Sequence, residues 1–161
     1  QETVGKSTAR MWGYRLDKLA LVQLVQGETA AAIATLQQAL ALPATTENPL
    51  LNFQLHGALA MAYLASAEPG RAAQMLAQAP RLEGLSIWAE MERDLIRGYV
   101  ALADGDAALA RRLAQQVAQR AEPYPLYRQK AVQLAVVVER PLPCHLWPQQ
   151  LWVAGQAVND A

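Results

Sequence analysis

The side chains best suited to catalysis or metal binding are few in this 161-residue chain and lie far apart. The single cysteine, Cys144, stands beside His145, and the other histidine is His56. A bound zinc ion needs several Cys or His ligands at spacings such as C-x-x-C or H-x-x-x-H, and no such pair occurs. The nucleophile motif G-x-S-x-G is also absent, and nothing near Cys144 indicates an activated thiol. We therefore predict no catalytic residue, no metal and no cofactor, and interpret His56 as a packed or hydrogen-bonded core histidine.

The stretch from Gly5 to Thr8 reads GKST, which is the end of the phosphate-binding loop G-x-x-x-x-G-K-[ST]. A loop of that kind follows a strand, and a later strand supplies an acidic residue for the metal ion. The sequence predicts neither strand. We therefore interpret residues 1–7 as a flexible polar leader, with Ser7 or Thr8 capping the first helix.

Three acidic residues, Glu90, Glu92 and Asp94, lie close together in one predicted helix. Paired carboxylates can carry acid–base chemistry, and positions 90 and 94 share a helix face. However, Arg93 and Arg97 lie within the same turns, and oppositely charged side chains at these spacings form ion pairs. A salt-bridged surface explains this cluster better than an active site.

The composition excludes several classes of function. Lys and Arg total 14 and Asp and Glu total 14, so the net charge is zero, whereas nucleic-acid-binding surfaces show a basic excess. No apolar run approaches the ~20 residues that a membrane span needs. With one cysteine an internal disulfide is impossible, which fits a reducing compartment. We expect a cytoplasmic protein that binds neither nucleic acid nor membrane. The chain lacks an initiator Met, so we expect either a processed chain or, in preference, a piece excised from a larger protein.

An internal repeat provides the strongest signal for the fold. Ala32, Ala72 and Ala110 are separated by 40 and 38 residues, and the same two offsets align several other columns. Periods of this size are typical of stacked helical hairpins. The aligned columns are Leu36, Leu76 and Ala114; Ala39, Ala79 and Val117; Gln38, Gln78 and Gln116; Ala20, Ala60 and Gly98; and Leu24, Leu64 and Leu102.

Glycine, proline and capping signals divide the chain into about eight helices. Gly27 and Gly105 are placed to end helices with positive φ, and Asn48-Pro49 and Pro69 to begin them. Two prolines, Pro141 and Pro143, interrupt the chain before a short last helix that does not follow the repeat. We expect Trp147 and Trp152 of this helix to seal the last helix pair. The predicted helices cover about 8–26, 28–42, 49–65, 69–79, 85–103, 107–121, 126–139 and 147–158.

The pattern of small residues and turn glycines resembles tetratricopeptide (TPR) repeats over residues 10–122. It departs from that family in its longer period and in Leu16, His56 and Asp94, which fill the family's early Trp position. The resemblance implies an all-α, TPR-like superhelix of antiparallel helical hairpins in which residues 8–161 form one domain. Its units are expected at about 10–46, 48–84 and 85–122, followed by an atypical capping pair at 124–161. The matching residues are Ala20, Gly27, Ala32, Leu36 and Ala39; Ala60, Tyr63, Ala72, Leu76, Ala79 and Pro80; and Gly98, Gly105, Ala110 and Val117.

The longer period also resembles the TPR-like superhelix of large bacterial LuxR/MalT-type transcriptional regulators. Two functions follow from these resemblances and stay open. The first is a non-catalytic scaffold that binds a protein or peptide; the second is a regulatory domain that binds a small-molecule effector in its concave groove. A homo-oligomer is a further possibility, since an exposed Trp152 or Val153 would mark either a dimer seam or a cut domain boundary.

The family's concave face, carried over residue by residue, gives the candidate contact residues. The first helix of each hairpin lines that face in stacked repeats. The resulting wall is mixed, with tyrosine and methionine among apolar and acidic residues, and suits a peptide, a helix or a small ligand with an apolar face. Leu24, Leu64 and Leu102 occupy similar places, where inter-helix core is an equal alternative. The predicted contacts are Tyr14, Asp17, Leu21, Gln54, Met61, Glu92, Leu95 and Tyr99, with Gly57 beside them.

Overall fold

The computed structural model describes residues 2–82, 84 and 86–152, with the backbone alone for residues 2–4 and 6. Every regular element within these ranges is a helix, which confirms the predicted all-α fold of about eight helices. The helices are α1 Glu2–Val25, α2 Thr29–Leu40, α3 Pro43–Thr46, α4 Pro49–Ala65, α5 Pro69–Gln78, α6 Ile87–Ala103, α7 Ala107–Arg120, α8 Pro125–Glu139 and α9 Trp147–Trp152, with a 3-10 turn at Cys144–Leu146 before α9. None of the helices in the described ranges has both the length and the apolar character needed to cross a membrane.

The helix boundaries follow local signals that are visible in the sequence. Gly27 and Gly105 each have φ of +83°, a left-handed conformation that glycine adopts without a steric penalty. Pro49 and Pro69 each occupy the first turn of their helix, where a missing N–H costs nothing. The Asn48 side chain caps α4 by accepting a hydrogen bond from a main-chain N–H of its first turn.

The helices pack as successive hairpins, with α1 against α2, α4 against α5, and α6 against α7. Ala32, Ala72 and Ala110, the aligned repeat positions, have no exposed surface, so each second helix approaches its neighbours through a small side chain. The first helices α1, α4, α6 and α8 also pack side by side in chain order. Gly98 allows the closest of these approaches, because a Cβ there would collide with the side chain of Leu134 on α8.

The C-terminal segment folds back across the first helices. After α8, the 3-10 turn and α9 contact α4, and α9 also contacts α1 and α8. Trp147 is buried, with its ring 5.6 Å from that of Tyr99, and its Nε1 donates to the carbonyl of Leu142 at 3.0 Å. Gln149 Nε2 donates to the carbonyl of Val25, at the end of α1, at 3.0 Å. The last described helix therefore joins the two ends of the helical array, whereas the sequence predicted a seal over the last pair alone.

Two predictions of helix extent need correction, and a third reaches beyond the described residues. Helix α1 begins at Glu2, six residues before the predicted start at Thr8, because Gly5 costs a helix only about 1 kcal/mol and no proline interrupts the stretch. Residues Pro43–Thr46, which lie between two predicted helices, form one helical turn with proline at its start. The last helix was predicted to reach residue 158; it is described as far as Trp152, and the rest lies outside the described residues.

Candidate functional site

A pocket of about 170 Å³ lies where the four first helices meet α9. We call the surface formed by α1, α4, α6 and α8 the first-helix face. Each of these helices contributes side chains to the pocket, so its walls come from all the hairpins and from the C-terminal segment. The lining residues are Asp17, Lys18 and Leu21 of α1; Phe53, Gln54, Gly57 and Ala58 of α4; Trp88, Glu92 and Ile96 of α6; Tyr127 and Lys130 of α8; and Trp152 of α9.

An acidic residue, Asp17, is almost fully buried at the α1 side of the pocket, with 2% of its surface exposed. Lys18 Nζ lies 3.3 Å from Asp17 Oδ2, but the Lys18 side chain is 68% exposed. Burial raises the pKa of Asp17 above its ordinary value, although the charge and hydrogen bond of Lys18 act in the opposite direction. The pocket therefore contains a carboxyl group that the protein alone solvates poorly.

A buried ion pair forms the opposite side of the pocket. Lys130 Nζ donates to both carboxylate oxygens of Glu92, at 3.1 and 3.4 Å, and the two side chains are 8% and 13% exposed. Trp152 Nε1 donates to the same carboxylate at 3.2 Å. Burial together with the nearby Glu92 charge raises the pKa of Tyr127, and Lys130 Nζ lies 4.9 Å from the centre of that ring. Glu92 thus joins α6, α8 and α9 at one point.

Gln54 supplies an unsatisfied polar atom. Its Oε1 is buried, and among the residues that the structure describes no donor reaches it. Native proteins pair the great majority of their buried polar atoms, so each unpaired one requires an explanation. An oxygen of this kind on a pocket wall is suited to accept a hydrogen bond from a bound molecule.

Aromatic rings provide the apolar part of the pocket wall. Phe53 and Trp88 make an edge-to-face contact with ring centres 6.5 Å apart. On the side of Phe53 that faces α5, the guanidinium of Arg93 lies 5.2 Å from the ring centre and donates to the carbonyls of Leu76 and Pro80, at 2.9 and 2.7 Å. Arg93 thereby fixes Phe53 and the end of α5 in place.

The predicted acidic surface cluster divides into three different environments. Asp94 forms ion pairs with Arg97, at 3.0 Å, and with Arg120, which confirms the salt-bridged interpretation at that residue. Glu90 accepts a hydrogen bond from the main-chain N–H of Gly84 at 3.1 Å. Glu92, in contrast, points into the pocket, because it lies on the side of α6 that faces α8.

Four of the eight predicted contact residues, Asp17, Leu21, Gln54 and Glu92, line the pocket together. Tyr14 is half-buried away from it, and its hydroxyl accepts a hydrogen bond from Asn48 Nδ2 at 3.2 Å. The remaining three lie in the core between helices, where large apolar side chains gain most from burial. These core residues are Met61, Leu95 and Tyr99, none of which has exposed surface.

Several pocket residues were not among the predicted contacts. Phe53 directly precedes the predicted contact Gln54. It was not predicted, because the family's concave face corresponds to only a few positions of each first helix and position 53 is not one of them. Trp88 lies in the first turn of α6, before the aligned repeat positions begin. Lys130 and Trp152 belong to the C-terminal unit, whose spacing does not match the repeat. Their aromatic and charged character was a signal, but nothing in the sequence placed them beside α1 and α4.

His56 and Cys144 each interact with a main-chain carbonyl. His56 Nδ1 donates to the carbonyl of Asn52 one helical turn earlier, at 2.9 Å, as expected for a hydrogen-bonded helical histidine. The Cys144 thiol is directed at the carbonyl of Ala65, 3.8 Å away. Among the described residues, no group of His, Cys, Asp and Glu is arranged to hold a metal ion.

No protein-family model matches this chain, and comparisons with curated proteins and with solved structures find no match either. The likeness to tetratricopeptide repeats and to bacterial transcriptional regulators therefore depends on the sequence pattern alone. Function must be argued from the pocket and its surroundings.

Proposed function

We propose that this domain is a non-catalytic, TPR-like interaction module that binds a segment of a partner protein on its first-helix face. The observation that carries the proposal is the pocket to which all four first helices contribute. Its volume of about 170 Å³ is below the ~300–1,000 Å³ of sites for drug-sized ligands, so it suits one side chain of a longer bound segment. Aromatic anchors inserted in pockets of this kind dominate the energetics of many protein interfaces.

The chemistry of the pocket supports binding rather than catalysis. Its described lining includes no Ser, Cys or His that could act as a nucleophile or exchange protons near neutral pH. The Glu92 carboxylate is already occupied by Lys130 and Trp152, so it is not free to act as a base. The remaining groups are a buried acid, an amide oxygen and aromatic rings, which together recognise shape and hydrogen-bond donors.

A second candidate is a regulatory domain of a cytoplasmic bacterial transcriptional regulator, in which a small effector occupies the same pocket. The observation in its favour is that α9, from the far end of the chain, forms one wall through Trp152 and also contacts α1. A ligand that contacts both Trp152 and α1 would favour one position of α9, and a difference in affinity between two positions is what allostery requires.

Selection of linear peptides from a random library, followed by mapping of the bound peptides, tests the first proposal. In ¹H–¹⁵N NMR spectra we expect the selected peptides to shift amide signals of α1, α4, α6 and α8 and the indole N–H signals of Trp88 and Trp152. Shifts confined to α2, α5 and α7 would place binding on the opposite surface and contradict the proposal.

A further inference from the structure

We infer that the pocket receives a positively charged side chain, a lysine or an arginine of the bound protein segment. This inference rests on the proposed function and names the chemistry of the occupant. It depends on the acidic residue and the unsatisfied acceptor in the wall, on the apolar surface between the helices, and on the exposure of Lys18, the described cation that pairs with Asp17.

The first argument is the incomplete pairing of Asp17. The residue is 2% exposed, and Lys18 is its one ion-pair partner among the described residues. Lys18 Nζ lies 3.3 Å from the carboxylate, but 68% of the Lys18 side chain is exposed to water. A buried carboxylate is stable only when charges and hydrogen bonds compensate for its lost hydration. A cation entering the pocket would add to the compensation that Lys18 provides.

The second argument is the match between donors and acceptors. Ammonium and guanidinium groups carry only donors. Two acceptors lie in the wall: the Asp17 carboxylate, whose described ion-pair partner Lys18 is largely exposed, and Gln54 Oε1, which no described donor reaches. A carboxylate entering the pocket would meet a second carboxylate and an amide oxygen, which repel it. Both ammonium groups in the lining are already paired, because Lys130 donates to both oxygens of Glu92 and Lys18 donates to Asp17.

The third argument is the shape of the apolar wall. Leu21, Trp88 and Ile96 line the pocket together with Phe53. Lysine and arginine side chains have long apolar stems that pack on such surfaces while the charged end reaches a polar group. A volume of about 170 Å³ admits one such chain, whereas a short cation would leave the apolar wall unfilled.

The assignment of the occupant to a partner segment rests on the proposed function. Trp152 lines the pocket, and the chain continues with VAGQAVNDA over residues 153–161, which contains no lysine or arginine. Those nine residues therefore cannot supply the cation.

The direct test uses two probes of the same shape, Nα-acetyl-arginine methylamide and Nα-acetyl-citrulline methylamide. In the citrulline probe an uncharged urea group replaces the guanidinium. Titration is followed by the indole N–H signals of Trp88 and Trp152 and the side-chain amide signals of Gln54. We expect the arginine probe to bind saturably and the citrulline probe to bind about 10-fold more weakly or worse, because a charge-assisted hydrogen bond is lost. Equal binding of the two probes, or no saturable shift with the arginine probe, would overturn the inference.

The matched variants are Asp17→Asn and Glu122→Gln. Each removes one negative charge, but Glu122 is exposed and lies outside the pocket lining. Asp17→Asn relieves a buried charge and should fold. We expect it to weaken the arginine probe about 10-fold or more, and Glu122→Gln to leave the affinity unchanged. A similar affinity for both variants and the wild type would show that Asp17 does not recognise the cation.

The library-selected peptides separate this inference from the proposed function. In the first test, each Arg of a peptide that maps to the first-helix face is replaced by citrulline and each Lys by norleucine. Unchanged affinity would refute the cationic occupant and leave the interaction module intact. Peptides that bind elsewhere, while the arginine probe still requires Asp17, would refute the proposed function and leave the cation pocket standing.

Discussion

The buried ion pair between Glu92 and Lys130 permits a quantitative test of the pocket's structure. Replacing Glu92 by Met leaves the Lys130 ammonium, which is 8% exposed, and the Trp152 indole N–H without their acceptor. Breaking such a buried pair costs about 3–5 kcal/mol, and the lower value applies because the pocket opens to solvent. We therefore expect each single variant, Glu92→Met or Lys130→Met, to lower the free energy of unfolding by about 3 kcal/mol.

The double variant Glu92→Met/Lys130→Met should recover most of this loss. Removing both charges together also removes the cost of burying them, and apolar replacements of buried pairs are often neutral or stabilising by about 1–4 kcal/mol. The matched control is the pair Arg111–Glu139, with a 2.7 Å contact and side chains 47% and 65% exposed. Its coupling energy should stay below about 1 kcal/mol, because exposed pairs are solvated and screened.

Urea denaturation followed by far-ultraviolet circular dichroism measures these free energies, and thermal melts check them. For a chain of this length about 3 kcal/mol corresponds to a fall in Tm of about 6–12 °C. Single variants that lose less than about 1 kcal/mol, with strictly additive effects in the double variant, would show that the pair is solvated rather than buried.

Three other predictions concern packing and pH. Replacing Ala32 and Ala72 by Leu should abolish cooperative unfolding or lower stability by several kcal/mol, because each side chain has no exposed surface and overpacking costs about 1–3 kcal/mol per site. Gly98→Ala should lower the free energy of unfolding by about 1–3 kcal/mol, because the added methyl group collides with Leu134. The higher helix propensity of alanine offsets ~1 kcal/mol of that loss. Burial raises the pKa of the Asp17 carboxyl above its ordinary value of 3.8. The stability that the protonated carboxyl contributes is therefore present below pH 3.8 and is lost as the pH rises through the raised pKa. Urea melts across this range should show a decline in the free energy of unfolding that Asp17→Asn removes.

Controls for these predictions come from the same chain. Gly70→Ala adds a methyl group to an open helical position and should raise stability by up to about 1 kcal/mol, so a loss at that site as large as that of Gly98→Ala would point to a general intolerance of helix substitutions. Unchanged melting of the Ala32 and Ala72 double variant would refute the repeat alignment. Identical pH profiles for the wild type and Asp17→Asn would show that the Asp17 carboxyl is solvated.

The repeat part of the fold was predictable because its signals are local. Alanine at 32, 72 and 110 and glycine at 27 and 105 fix close helix packing and helix ends with little help from distant residues. The return of α9 to α1 and α4 was not predictable in the same way. It depends on contacts such as the hydrogen bond from Gln149 to Val25, between residues far apart in the chain, and no periodic pattern records these contacts.

Four of the residues predicted for the concave face line the pocket for the same reason. Asp17 and Gln54 lie on first helices within the repeat, so the helical register placed them on the first-helix face. Met61 and Tyr99 occupy equivalent places but point between helices, because small rotations of each helix decide whether a residue near the edge of a face is buried. Lys130 pairs with Glu92 from outside the aligned units, and only the three-dimensional arrangement shows it.

The most direct test of the central claim, that the first-helix face binds its partner at the pocket, is the affinity of a library-selected peptide for two tryptophan variants. Leu21→Trp fills the pocket from α1, whereas Val132→Trp adds the same side chain at an exposed position of α8 outside the pocket lining. The proposed function predicts that Leu21→Trp raises the Kd by more than about tenfold and that Val132→Trp leaves it unchanged. Equal affinities for the wild type and both variants would contradict the claim.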